Sequence, residues 1–278
     1  MSSPLPQALI DTATLQGALA CGRALCILDC RARLDDTGAG RRLWAAGHIP
    51  GSQHIDLDGD LASSPGEMGR HPLPNASDFT ATLQRLGITS TTPVVVYDDM
   101  SGQMAAARAW WMLHCWAGHP DVRMLDGGLA AWHRQGGEMT QSVGDISTSD
   151  WQPIFDEDQL ASADMLLSTP DTLIDARARE RFRGEVEPID PVAGHIPGAL
   201  CRPCSTNLTE EGYFKSAADL DAELPREDGV ISYCGSGVTA CHNILAYAIA
   251  GRALPRLYAG SWSHWIRNPE RPVATGDV

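Results

Sequence analysis

Short apolar, β-branched runs alternate along this chain with longer stretches whose apolar positions recur at helical spacing. Val94-Val95-Val96-Tyr97 and Gly229-Val230-Ile231-Ser232-Tyr233 have the length and residue types of buried strands. Ala76–Leu86, Gln103–Ala117 and Ala217–Glu223 read as helices, and so does the run from Ala240 to Ala248, which Gly251 stops. Strands alternating with helices predict an α/β fold, a mainly parallel sheet with helices on both faces. In such sheets ligands bind beyond the carboxyl ends of the strands.

The pattern occurs twice. Ile27-Leu28-Asp29-Cys30-Arg31 is answered by Leu173-Ile174-Asp175-Ala176-Arg177, and Gly47-His48-Ile49-Pro50-Gly51 by Gly194-His195-Ile196-Pro197-Gly198. Val94–Tyr97 is answered by Val230–Tyr233, and Leu125-Asp126-Gly127-Gly128 with Trp132 by Tyr258-Ala259-Gly260-Ser261 with Trp265. Four matches in one order predict two copies of one domain, over 1–140 and 151–278, joined by a polar linker over 136–150.

The chemistry concentrates after the strand of the second copy. Cys234 ends that strand and opens the glycine-rich turn Gly235-Ser236-Gly237-Val238-Thr239 before a helix. Glycines there let backbone N–H groups point inward and form an anion-binding nest at the positive end of a helix. A cysteine in such a nest is favoured as thiolate, the nucleophilic form. A Walker phosphate loop is excluded because no lysine follows the glycines, and the cysteine-phosphatase pattern fails because Ala240 stands where its arginine is required. In the first copy the aligned residue is Asp98, which has no thiol to act as nucleophile. That copy is expected to be catalytically silent and to serve as a wall of the cleft, with its Asp98–Gly102 turn no comparable nest.

Cys234-Gly235-Ser236-Gly237-Val238-Thr239 resembles the active loop of the 3-mercaptopyruvate sulfurtransferases, within the tandem-domain rhodanese superfamily, and the repeat extends the resemblance over nearly the whole chain. The resemblance implies two rhodanese-like domains and a sulfurtransferase that carries sulfur as a persulfide on Cys234, cradled by Gly235, Gly237, Val238 and Thr239. Arg181, in Arg181-Phe182-Arg183-Gly184, matches the family's substrate-anchoring arginine. Ser236 and His48 match a Ser–His–Asp relay whose aspartate is Asp36 or Asp35. His48 recurs as His195 and Arg31 as Arg177, which favours structural roles for at least one of the histidines and for Arg177. The sequence departs from the family at Ile189, where an arginine usually follows Glu-Pro, and lacks the cationic loop of the thiosulfate enzymes.

Composition narrows the partners. A formal charge of −14 over 278 residues argues against nucleic acid and anionic membranes, so an anionic substrate needs a local basic pocket. The first residues lack a signal-peptide pattern, no run is long enough to span a membrane, and eight cysteines without an export signal read as reduced thiols in the cytoplasm. Cys201 and Cys204 have the spacing of a redox or metal pair but no second pair to complete a site. No metal or organic cofactor is implied. The expected donor is a small anion, 3-mercaptopyruvate before thiosulfate, and the acceptor a thiol, cyanide or a thioredoxin-like protein. A non-enzymatic persulfide carrier or redox-sensing module is the rival from another class.

Overall fold

A computed structural model describes residues 8–144, 147–226 and 229–277. Part of the expected linker over 136–150, and the first residues of the stretch read for a signal peptide, lie outside them. The chain forms two compact units. One comprises Met1–Ser63, Pro74–Asp156 and Glu210–Phe214; the other comprises Ser64–Leu73, Glu157–Thr209 and Lys215–Val278. The second unit therefore takes a short segment, Ser64–Leu73, from the half of the sequence that carries the first repeat.

The first unit is built on strands β1 (Leu9–Ile10), β2 (Cys26–Asp29), β3 (Ser52–His54), β4 (Val94–Tyr97) and β5 (Val122–Leu125), in the order β1-β5-β4-β2-β3, with every pair parallel. Its helices are α1 (Thr12–Ala20), α2 (Ala39–Ala46), α3 (Ala76–Arg85), α4 (Ala106–Trp111) and α5 (Gly128–Arg134). The expected helix over Gln103–Ala117 starts later, because the carboxylate of Asp98 gathers the amides of Met104 and Ala106; it then ends in a π-helix over Met112–Trp116. Ile27, Val95, Tyr97, Leu125 and Trp132 centre its core.

The second unit orders β6 (Thr172–Asp175), β7 (Leu200–Cys201), β8 (Val230–Tyr233) and β9 (Arg256–Leu257) as β7-β6-β8-β9, again all parallel. Its helices are α6 (Ala163–Leu166), α7 (Arg179–Phe182), α8 (Ala217–Glu223), α9 (Ala240–Ile249) and α10 (Ser261–Trp265). Ile231, Tyr233, Phe182, Tyr258, Trp262 and Trp265 form its core. The two-copy reading and the α/β class both hold in this architecture. Among the described residues no helix is long and apolar enough to cross a membrane.

The repeat is preserved down to single bonds, which separates scaffold from chemistry. Asp29 pairs in register with Tyr97, and Asp175 with Tyr233. Arg31 Nη2 donates to Asp29 (2.6 Å) and to the carbonyl of Gly47 (2.7 Å); Arg177 Nη2 donates to Asp175 (2.7 Å) and to Gly194 (2.6 Å). These arginines fasten the strand end to the His-Ile-Pro-Gly turn in both units. The histidines of that turn are scaffold as well. His48 stacks on Trp44 and His195 on Phe182, and each places Nδ1 2.8 Å from the backbone carbonyl of its stacking partner.

Candidate active site in the second unit

Cys234 follows the last residue of β8 at the carboxyl end of the sheet and is only 2% exposed. The turn after it is fixed from behind by the start of α10. Ser261 Oγ accepts from the Cys234 N–H (3.1 Å), while the N–H groups of Trp262 and Ser263 donate to the carbonyls of Cys234 (3.0 Å) and Gly235 (2.9 Å). With those carbonyls tied back, the N–H of Gly237 reaches Cys234 Sγ at 3.2 Å. Gly237 is obligatory here: its φ is 78°, and a Cβ would stand 2.2 Å from the carbonyl oxygen of Ala259. Val238 is buried packing, and Thr239 leads into α9.

The first unit shows what such a turn collects. The Asp98 carboxylate, at the position aligned with Cys234, is fully buried. It accepts from the N–H groups of Met100 (2.9 Å), Gly102 (2.8 Å), Met104 (3.3 Å) and Ala106 (3.2 Å). The Asp98–Gly102 turn is thus an amide nest after all, closed by its own side chain. Burial pushes the Asp98 carboxyl up, against the pull of those amides. In the second unit the smaller cysteine occupies the matching place.

A chain of alternating charges runs from the sheet to this turn. Arg177 spans Asp175 and Glu187, Arg181 spans Glu187 and Asp190, and Asp190 also binds Arg70. Arg181 meets Glu187 through two bonds, of 3.1 and 2.7 Å, and Asp190 at 3.2 Å. Glu187 is held below the usual carboxylate range by Arg181 and by the amides of Asp190 and Ile189, which together outweigh its burial. Arg177 lies over the Trp262 ring at 4.8 Å, and its neighbouring carboxylates push its pKa upward despite burial. A Cβ built on Gly235 would lie 3.0 Å from Arg70 Nη2 and 3.5 Å from both terminal nitrogens of Arg181. Two guanidinium groups therefore stand beside the residue that follows the cysteine. Arg181 comes from the Arg181-Phe182-Arg183-Gly184 motif; Arg70 lies outside it. Ile189 is 46% exposed.

The expected relay needs correction. The histidine at Ser236 is His71, whose Nδ1 is 2.8 Å from Ser236 Oγ. Both ring nitrogens of His48 face backbone carbonyls, of Trp44 and of Ser142 (3.2 Å), which leaves it no nitrogen for Ser236. Asp36 is exposed and bound to Arg42, so it does not orient that histidine. Arg70 and His71 belong to the segment that joins the second unit, where Gly69 (φ 109°) packs against Ser263 and Gly260, and the Arg70 N–H donates to Ser263 Oγ at 3.1 Å. The sequence signal for them is indirect. The interval from Gly51 to Val94 is longer than its counterpart from Gly198 to Val230, and the excess carries Gly-Arg-His-Pro.

Burial pushes Cys204 up to about 12, with the neighbouring Cys234 adding to the shift, and pushes Cys26 up to about 12 as well. Cys241 donates its S–H to the carbonyl of Gly237 at 3.4 Å. Among the described residues no group of three or more His, Cys, Asp or Glu side chains is placed to hold a metal ion.

Both halves of the chain are similar to known proteins. The rhodanese-like domain family matches residues 11–135 and 159–268. The probable 3-mercaptopyruvate sulfurtransferase of Pseudomonas aeruginosa is 48% identical over 266 residues, covering 91% of this chain and 93% of that protein. The thiosulfate sulfurtransferase of Rattus norvegicus is 32% identical over 291 residues, 98% of this chain and 97% of the other. SseA from Escherichia coli, whose crystal structure is described as a 3-mercaptopyruvate sulfotransferase of rhodanese fold, superposes with a TM-score of 0.79 at 29% identity over 92% of this chain and 99% of its own. With one rhodanese-like domain matched in each half, this chain belongs to the rhodanese family.

Proposed function

We propose that this sulfurtransferase takes the sulfur of 3-mercaptopyruvate onto Cys234 and passes it to a thiol or cyanide acceptor. The observation that carries the reading is the Gly237 N–H aimed at Cys234 Sγ from 3.2 Å, in a turn whose carbonyls are tied away. In the first half-reaction the Cys234 thiolate attacks the donor sulfur. The S–S bond forms, the C–S bond breaks, and the bonding pair leaves as the enolate of pyruvate, which takes up one proton at carbon. The Ser236 hydroxyl, paired with His71, is a proton-bearing group within the turn that can serve this step. The persulfide keeps a negative outer sulfur within reach of the backbone amides, a preorganised stabilisation of charge. In the second half-reaction an acceptor thiolate or cyanide takes that outer sulfur, and the Cys234 thiolate returns. A thioredoxin-like protein and a cytoplasmic setting fit cysteines that form no disulfide. The first unit, with Asp98 in place of the cysteine, supplies no nucleophile and is taken as non-catalytic.

The donor is decided by charge. Gly235 and Ser236 bring no cationic side chain into the turn, so a thiosulfate dianion is less well matched than a ketoacid monoanion. Steady-state kcat/KM with each donor, at equal acceptor concentration, tests this. Turnover with both and a modest advantage for 3-mercaptopyruvate is expected; thiosulfate preferred by about tenfold or more would reverse the assignment.

A further inference from the structure

The resemblance drawn from the loop motif implies a second arginine at position 189, where this chain has Ile. The structure places another guanidinium at the same turn. Arg70 reaches it from a segment remote in sequence, with its backbone N–H on Ser263 and its Nη1 on Asp190. Its Nη2, which that ion pair does not use, is 3.0 Å from the Cβ position of Gly235. Arg181 Nη1, likewise outside the bonds to Glu187 and Asp190, is 3.5 Å from the same point. Asp190 bridges both arginines from a side chain that is 3% exposed, so it sets their spacing while leaving one nitrogen of each turned to the loop.

Two guanidinium nitrogens converging beside the residue next to the nucleophile make a receptor for a planar oxyanion, which a carboxylate satisfies with one oxygen on each. We infer that Arg70 is the second carboxylate-binding guanidinium of the donor site, replacing the arginine absent at position 189. Arg70 would then set specificity for ketoacid donors without taking part in breaking the C–S bond. This inference rests on the reading of Cys234 as the sulfur acceptor.

The test compares 3-mercaptopyruvate with mercaptoacetone, the same ketothiol bearing a methyl in place of the carboxylate. Single-turnover sulfur loading of Cys234 is followed by mass over a range of donor concentrations. In Arg70→Ala the loading efficiency with 3-mercaptopyruvate should fall about tenfold to a hundredfold, the usual worth of one charge-assisted hydrogen bond. The loss should lie in the half-saturating concentration, while the maximal rate and the efficiency with mercaptoacetone stay within about twofold, well below the change one such bond makes. Arg70→Lys should fall between, and Ile189→Arg added to Arg70→Ala should recover part of the loss. Equal losses with both donors, no loss with either, or no recovery from Ile189→Arg would each overturn the inference. A wild-type protein that gains no sulfur at Cys234 from 3-mercaptopyruvate would instead refute the functional reading beneath it, a distinguishable result.

Discussion

Replacing Gly237 by alanine perturbs the turn at one atom, and its cost can be worked from the structure. The backbone there has φ 78°, a conformation that costs an L-residue roughly 1–2 kcal/mol. The new Cβ would also stand 2.2 Å from the carbonyl oxygen, 3.0 Å from the carbonyl carbon and 3.1 Å from the Cα of Ala259. All three are backbone atoms, so no side-chain rotation relieves the contact and the turn itself has to shift, adding about 1–3 kcal/mol. A total of about 2–5 kcal/mol should lower Tm by on the order of 10 °C. The same shift withdraws the Gly237 N–H from Cys234 Sγ, and losing one such donor costs about a hundredfold to a thousandfold in kcat. Gly198→Ala is the matched control: its φ is 80°, yet nothing lies within 4 Å of its Cβ position. It should lose only the conformational share of stability, about 1–2 kcal/mol, and none of the activity. Thermal melts and sulfur-transfer kinetics well below the melting range separate the two effects. A folded Gly237→Ala protein with kcat within about threefold of wild type, far short of the loss of one donor, would refute the role given to that amide.

Asp98→Ala should leave sulfur chemistry at Cys234 intact at low temperature, because Asp98 is only the positional counterpart of the nucleophile. It should destabilise the protein by about 3 kcal/mol or more, since four amides lose their carboxylate, and calorimetry alongside kinetics checks both halves. Iodoacetamide at pH 8 should label exposed Cys21 and spare Cys26 and Cys204 in the folded protein, because thiols pushed up to about 12 are thiolate in only about one part in 10⁴ at that pH. The same two thiols make stability fall with alkali. Their pKa is raised on folding from an ordinary value of 9.0 to about 12, so the unfolded chain releases protons that the folded one holds. Their contribution is present below pH 9 and is lost as pH rises toward 12, by about 1.4 kcal/mol per pH unit for each thiol; denaturant melts across that window measure the slope.

Much of this molecule was legible because its signals are local. The strand Val230–Tyr233 and the helix Ala217–Glu223 fall where apolar spacing puts them, and the turn after Cys234 is written in consecutive residues. The repeat identified Arg177 as scaffold before its bonds to Asp175 and Gly194 were visible. What escaped was assembled at a distance. Arg70 and His71 lie in a polar segment without periodicity, and tertiary contacts such as Gly69 on Ser263, Arg70 on Asp190 and His71 on Ser236 bring them to the turn. His48 misled for the converse reason. It shares its motif with His195, and a buried histidine bonded to carbonyls cannot be told from a catalytic one by sequence position alone. Asp98 was legible as a non-nucleophile, but not as the acceptor of four amides, because a nest appears in no residue pattern until the backbone is in place.

The measurement closest to the central claim is the mass of the protein after treatment with 3-mercaptopyruvate and removal of excess donor, followed by mapping of the modified peptide. The account predicts a gain of one sulfur atom, carried on the peptide containing Cys234, absent from Cys234→Ser, discharged by cyanide or an acceptor thiol, and retained in variants of Cys30, Cys115 and Cys241. A sulfur found on any other cysteine, or turnover persisting in Cys234→Ser, would contradict it.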